Sequence, residues 1–112
     1  VVQIKSYAFA VRIIKVFKYL SEQKKEFVLS KQLLKCGTSI GANIEEAIGG
    51  QSGKDFFAKL TISYKEARET HYWIRLLKDT DYLSVEEADS LLKDVDELLR
   101  IIGSIQKKLR NS

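Results

Sequence analysis

The sequence predicts an all-α protein: a single domain built as an antiparallel, up-down-up-down four-helix bundle. Three observations lead there. The 112 residues contain no proline, so few turns are forced and long helices are favoured. Apolar residues recur three or four apart through four segments, and no segment sustains the period-two alternation of a half-buried strand. The connectors between these segments are short, which makes successive helices antiparallel neighbours. The length suits one domain with a modest core.

The helices are expected at about residues 3–21, 31–48, 53–79 and 85–109. The first is apolar over much more than the ~100° stripe of an ordinary surface helix. One face would fill the core. The surplus, assigned to Phe9, Val16 and Tyr19, is expected to meet another copy, because large exposed apolar patches mark interfaces. After the polar connector SEQKKEF, Ser30 is the expected N-cap of the second helix.

The second helix contains GTSIGANIEEAIGG, residues 37–50. Gly37 and Gly41 stand four apart on one face. Each costs about 0.5–1 kcal/mol relative to alanine, so a neighbour should come close there. The third helix is the expected neighbour, with Phe56, Phe57, Tyr64 or Trp73 filling the gap. Asn43 lies near that seam and is expected to hydrogen-bond Glu66, Glu69 or Thr70 and fix the register. Gly49 and Gly50 stop the helix. Ser52 then caps the third helix, with Asp55 in a capping-box-like position. Its core side should carry Phe56, Leu60, Ser63 or Tyr64, Ala67, Thr70 or His71, Ile74 and Leu77. Ser84 caps the fourth helix with Glu87 three residues later, and its apolar side runs from Val85 and Ala88 through Leu92, Val95, Leu99, Ile102 and Ile105 to Leu109.

Catalytic patterns fail one by one. GGQSGK is not a Walker loop: Ile48 stands where the first glycine belongs, acidic Asp55 follows Lys54, and no strand precedes. His71 is the only histidine and Cys36 the only cysteine, too few ligands for a zinc site. A di-iron bundle needs paired Glu-x-x-His motifs, and here Arg68 stands three before His71. A Cys36–His71 nucleophile pair would lack its orienting third group. The carboxylates Glu45, Glu46, Glu66 and Glu69 read as partners for Lys65, Arg68 and Arg75. No catalytic residue, metal or cofactor is expected, and the protein is expected not to be an enzyme.

Charge is the remaining signal. The net charge is +4, unevenly spread: residues 1–41 hold eight basic and two acidic side chains, residues 42–96 seven and twelve, residues 97–112 four and one. Such asymmetry suits an electrostatically selected partner. No apolar run reaches the ~20 residues of a membrane span. No export leader is visible, and a lone cysteine fits a reducing cytoplasm. Methionine is absent, so the natural chain is expected to start before Val1.

Residues 30–83, together with 5–20 and the leucine-rich last helix, closely resemble the bacterial four-helix-bundle family named for proteins encoded in intervening sequences of 23S ribosomal RNA genes. The residues that carry the resemblance are Ser39, Ile40, Gly41, Ala42, Asn43, Ile44 and Glu46, then Asp55, Phe56, Lys65, Glu66, Glu69 and Thr70. The resemblance implies an up-down bundle that assembles as a homopentamer. It is also similar to the accessory subunit of diversity-generating retroelements, a basic pentameric barrel that engages reverse transcriptase and nucleic acid. It supplies no catalytic residue, and the family name records gene location, not ribosome binding.

The leading functional expectation is therefore a homo-oligomeric module that binds RNA or DNA through phosphates. Its candidate carriers are Lys5, Arg12, Lys15, Lys18, Lys54, Lys107, Lys108 and Arg110, with Lys5, Lys107, Lys108 and Arg110 expected at one end of the bundle and Lys54 near them. Gly37, Ser39, Gly41, Asn43, Glu46, Glu66 and Glu69 are the expected packing and register set. The competing expectation is a protein-interaction scaffold, for example for a reverse transcriptase, without direct nucleic-acid contact.

Overall fold

Four helices make up the computed structural model, which describes residues 1–111. They are α1 (Val2–Glu22), α2 (Leu29–Ile48), α3 (Gly53–Asp79) and α4 (Val85–Arg110). No strand occurs among the described residues. The register is antiparallel at every contact. Along α1 and α2, Gln3 reaches Glu45 and Gly37 lies against Ile13. Lys59 meets Glu46 between α3 and α2. Lys78 meets Asp89 and His71 meets Asp96 between α3 and α4. The helices close a ring, with α1 against α4, so α1 and α3 stand diagonally, with no Cα atoms within 8 Å of each other. The bundle measures 47 × 21 × 20 Å.

The core is one apolar column drawn from all four helices, including Ile13, Leu33, Ile40, Leu60, Ile74, Leu91 and Ile102. Phe9 and Val16 belong to it. Expected on an outer face, they are only 2% and 6% exposed, because positions 9, 13, 16 and 20 form one 3–4 stripe facing inward. The outward apolar residues of α1 are instead Ile4, Tyr7, Val11 and Ile14, with Tyr19 nearer its end. On α4 the inward stripe is Ala88, Leu91, Val95, Leu98, Ile102 and Gln106. Val85 and Leu109 are exposed, while Leu92, Leu99 and Ile105 flank the core.

Local chemistry sets the helix ends. The hydroxyls of Ser52 and Ser84 accept from the backbone N–H of Asp55 (3.0 Å) and Glu87 (3.1 Å), closing α3 and α4 as their spacing suggests. The second helix starts differently. Ser30 is buried inside its first turn and its hydroxyl donates to the Glu26 carbonyl (2.8 Å). The cap is the Glu26 carboxylate, which accepts from the N–H groups of Val28, Leu29 and Ser30. The Glu26 N–H also donates to the carbonyl of Leu20. One residue thus ties the end of α1 to the start of α2. Burial pushes its carboxyl up, but these hydrogen bonds outweigh that and leave its pKa below the ordinary value.

The glycines of α2 accommodate α1, and the third helix does not fill them. A Cβ on Gly37 would lie 2.8 Å from Cγ1 of Ile13, and one on Gly41 would lie 3.3 Å from the backbone oxygen of Ser6. Asn43 also departs from expectation: its amide donates within α2 to the carbonyl of Ser39 (2.8 Å). The buried polar tie between α2 and α3 is the Ser63 hydroxyl, which donates to the Ile40 carbonyl (2.9 Å).

Candidate nucleic-acid interface

The basic residues divide by what the fold puts beside them. Lys5 forms a salt bridge with Glu97 (3.2 Å), and Arg12 with Asp94 (2.6 Å) and Glu87 (3.4 Å). These three carboxylates line α4 where it faces α1, so both cations are balanced within the protein. Glu97 precedes Lys107 by ten residues, about 15 Å of helix. Lys5 therefore does not join the cluster at the end of α4.

That cluster forms where the N-terminus of α3 meets the C-terminus of α4. Ser52 starts α3 sharply after the glycine turn, which places Lys54 and Phe57 in its first turns. The α4 helix brings Lys107, Lys108 and Arg110 in its last turn, where cations also suit the helix dipole. The Arg110 guanidinium sits 5.9 Å from the centre of the Phe57 ring. Gly53, Lys54, Phe57, Leu109 and Arg110 line an open groove of about 420 Å³. None of Lys54, Lys107, Lys108 and Arg110 is in a salt bridge among the described residues. Phe57 is the member that sequence reasoning left out, because its apolar spacing marked it as a filler for the glycines of α2.

The α3 N-terminus is not an open phosphate cradle. Ser52 takes up the Asp55 N–H, and the Asp55 carboxylate lies where any Gly50 side chain would be. Among the described residues Lys15 and Lys18 have no carboxylate within salt-bridge distance, and both sit on the exposed side of α1. Lys15 also borders a hollow of about 340 Å³ with Arg12, Val16, Tyr19, Leu83, Ser84 and Glu87.

Ser39, Asn43, Glu46, Glu66 and Glu69 fall together along the outer seam between α2 and α3. Lys59 bonds Glu46 across it (3.0 Å), and Trp73 Nε1 donates to Glu69 (2.9 Å). Partial burial, then the neighbouring Glu69 charge, raise the Glu66 carboxyl, against the opposing pull of Lys35. Beneath them Cys36 is buried, and burial pushes its thiol up to about 11. His71 turns the other way, toward Asp96 on α4 at 3.3 Å. Cys36, on α2, and His71, turned toward α4, are therefore not brought together.

Comparison with known proteins gives a consistent picture. The family model for the 23S rRNA-intervening sequence protein matches residues 1–104. The crystal structure of a protein with unknown function from the S23 ribosomal protein family of Bacteroides thetaiotaomicron VPI-5482 superimposes with a TM-score of 0.94. The two chains are 50% identical, over 96% of this chain and 99% of that one. No curated protein matches. No described helix is long and apolar enough to cross a membrane. With the match spanning nearly all of the four-helix fold, the chain belongs to the 23S rRNA-intervening sequence protein family.

Proposed function

We propose that this protein is a non-enzymatic, cytoplasmic, homo-oligomeric module that binds nucleic acid or a ribonucleoprotein through its basic surfaces. The observation that carries this reading is the end of the α3–α4 hairpin. There Lys54 and Arg110 line a groove with Phe57, and Lys107 and Lys108 share the last turn of α4 with Arg110; none of the four is in a salt bridge among the described residues. Free cations meet phosphates, and an aromatic face offers a stacking surface for a base. A pentamer, as the family resemblance implies, would repeat this cluster five times around an axis. Its avidity would then exceed the affinity of one cluster wherever the ligand can reach several. The free, buried Cys36 supports a reducing compartment.

The test is fluorescence anisotropy with structured RNA and with duplex DNA at two salt concentrations. Binding should weaken steeply with salt, and each lysine lost from the cluster should reduce the log–log salt slope by about 1. Absence of binding to both at low salt would overturn the reading and leave the protein-scaffold alternative in its place.

A further inference from the structure

We propose that the outer face of α1 docks, head to tail, on the α2/α3 seam of a second copy of this chain. The inference rests on the oligomeric reading above and names its contact. It starts from an apolar face that the fold leaves uncovered. Ile4, Tyr7, Val11 and Ile14 are 75%, 69%, 38% and 42% exposed. Their 3-4-3 spacing is that of a helix–helix seam, directly opposite the buried Phe9–Ile13–Val16–Leu20 stripe. Ala8 and Ala10 beside it would let a neighbouring backbone approach.

Charge selects the occupant. The α1 helix carries no acidic side chain before Glu22, and Lys15 and Lys18 on its outer side are in no salt bridge among the described residues. Such a face repels its own copy, since like charges brought together at an interface are costly. It needs an apolar surface bearing carboxylates. The same chain holds one at Ile62, Glu66, Glu69 and Tyr72 on α3. Ile62 and Tyr72 are 42% and 48% exposed, with Arg75 over the Tyr72 ring; neither glutamate is in a salt bridge among the described residues, and Glu69 accepts from Trp73 Nε1. Glu66 is half-buried beside Glu69, and burial first, then the Glu69 charge, disfavour its ionised form against the partial relief from Lys35. A lysine from outside would relieve that. Within one protomer α1 and α3 are diagonal and their outer faces point apart, so only another copy can bring the two faces together. A contact between two different faces is heterologous and propagates into a ring or a filament, whereas a two-fold pairing would use one face twice.

Zero-length carbodiimide cross-linking of an equal mixture of isotopically labelled and unlabelled protein, mapped by peptide mass spectrometry, tests this directly. Mixed-isotope links from Lys15 or Lys18 to Glu66 or Glu69 are expected. In light scattering, Lys15→Glu/Lys18→Glu should raise the dissociation constant at least tenfold. Adding Glu66→Lys/Glu69→Lys to the same chain should restore assembly, because both faces have then reversed sign. A wild-type oligomer cross-linked elsewhere would overturn the inference and leave self-assembly standing. A wild-type monomer at micromolar concentration would overturn both. The cross-linking arm needs no variant, so misfolding of the charge-exchanged chains cannot mask the result.

Discussion

At Gly37 a Cβ would lie 2.8 and 2.9 Å from two branches of Ile13, which is fully buried. A β-branched side chain is stiff at χ1 and cannot swing aside. Alanine should gain roughly 0.5–1 kcal/mol in helix propensity and lose about 1–3 kcal/mol to overpacking. Gly37→Ala is therefore expected to lower stability by about 1 kcal/mol in urea denaturation, and Ile13→Ala in the same chain should remove most of the glycine's share. At Gly41 the obstruction is the backbone of Ser6, which yields less than a side chain. Gly41→Leu should cost at least about 2 kcal/mol, and a variant as stable as the parent would show that these small residues do not serve packing. Cys36, buried with its pKa raised to about 11, is expected to resist maleimide at neutral pH until the chain unfolds. The glycine spacing made the small face legible in the sequence. Periodicity names a face and not the neighbour that lies on it, which is why α1 and α3 were exchanged. Asn43 misled for a related reason: its own helix offers the Ser39 carbonyl four residues back, a partner closer than any on α3.

Among the elements, the α1–α2 junction depends most on one side chain. Three N–H groups of the first turn of α2 point at the Glu26 carboxylate, which is 9% exposed. Replacing it by glutamine keeps the shape and removes the charge, so a loss of about 1–2 kcal/mol is expected. The pH dependence follows from the direction of the shift. The folded-state pKa lies below the ordinary 4.5, so Glu26 contributes fully above about 4.5 and loses its contribution as pH falls through the lower, folded value. Thermal melts between pH 6 and pH 3 should show a steeper acid loss for the parent than for Glu26→Gln, and parallel curves would contradict the cap. Ser30 was the expected cap because serine is a common one. A glutamate four residues earlier leaves no such signature, since its reach depends on how the connector bends, with Lys25 at a positive φ of 56°. The existence of the four helices was far more legible, because periodicity over 20 or more residues is a strong signal. In α1 both stripes are apolar, so composition alone could not tell Phe9 from Tyr7.

At the scale of the whole molecule, one end of the bundle is proposed to meet nucleic acid. The sequence placed Lys107, Lys108 and Arg110 near Lys54, because antiparallel register brings the start of α3 to the end of α4. It could not show that Lys5 and Arg12 are balanced by Glu97, Asp94 and Glu87, since ion pairs between residues so far apart in the chain depend on the tilt between helices. Lys5→Glu, at a balanced residue, should therefore change binding little. Lys107 and Lys108 are exposed, and their reversal should leave the fold intact, as circular dichroism can verify. The decisive measurement is the affinity of parent and Lys107→Glu/Lys108→Glu for one structured RNA and one DNA duplex at low salt. The expected result is tight, salt-sensitive binding by the parent, weakened at least tenfold in the variant. Equal affinity of the two, or no binding by either, would contradict it.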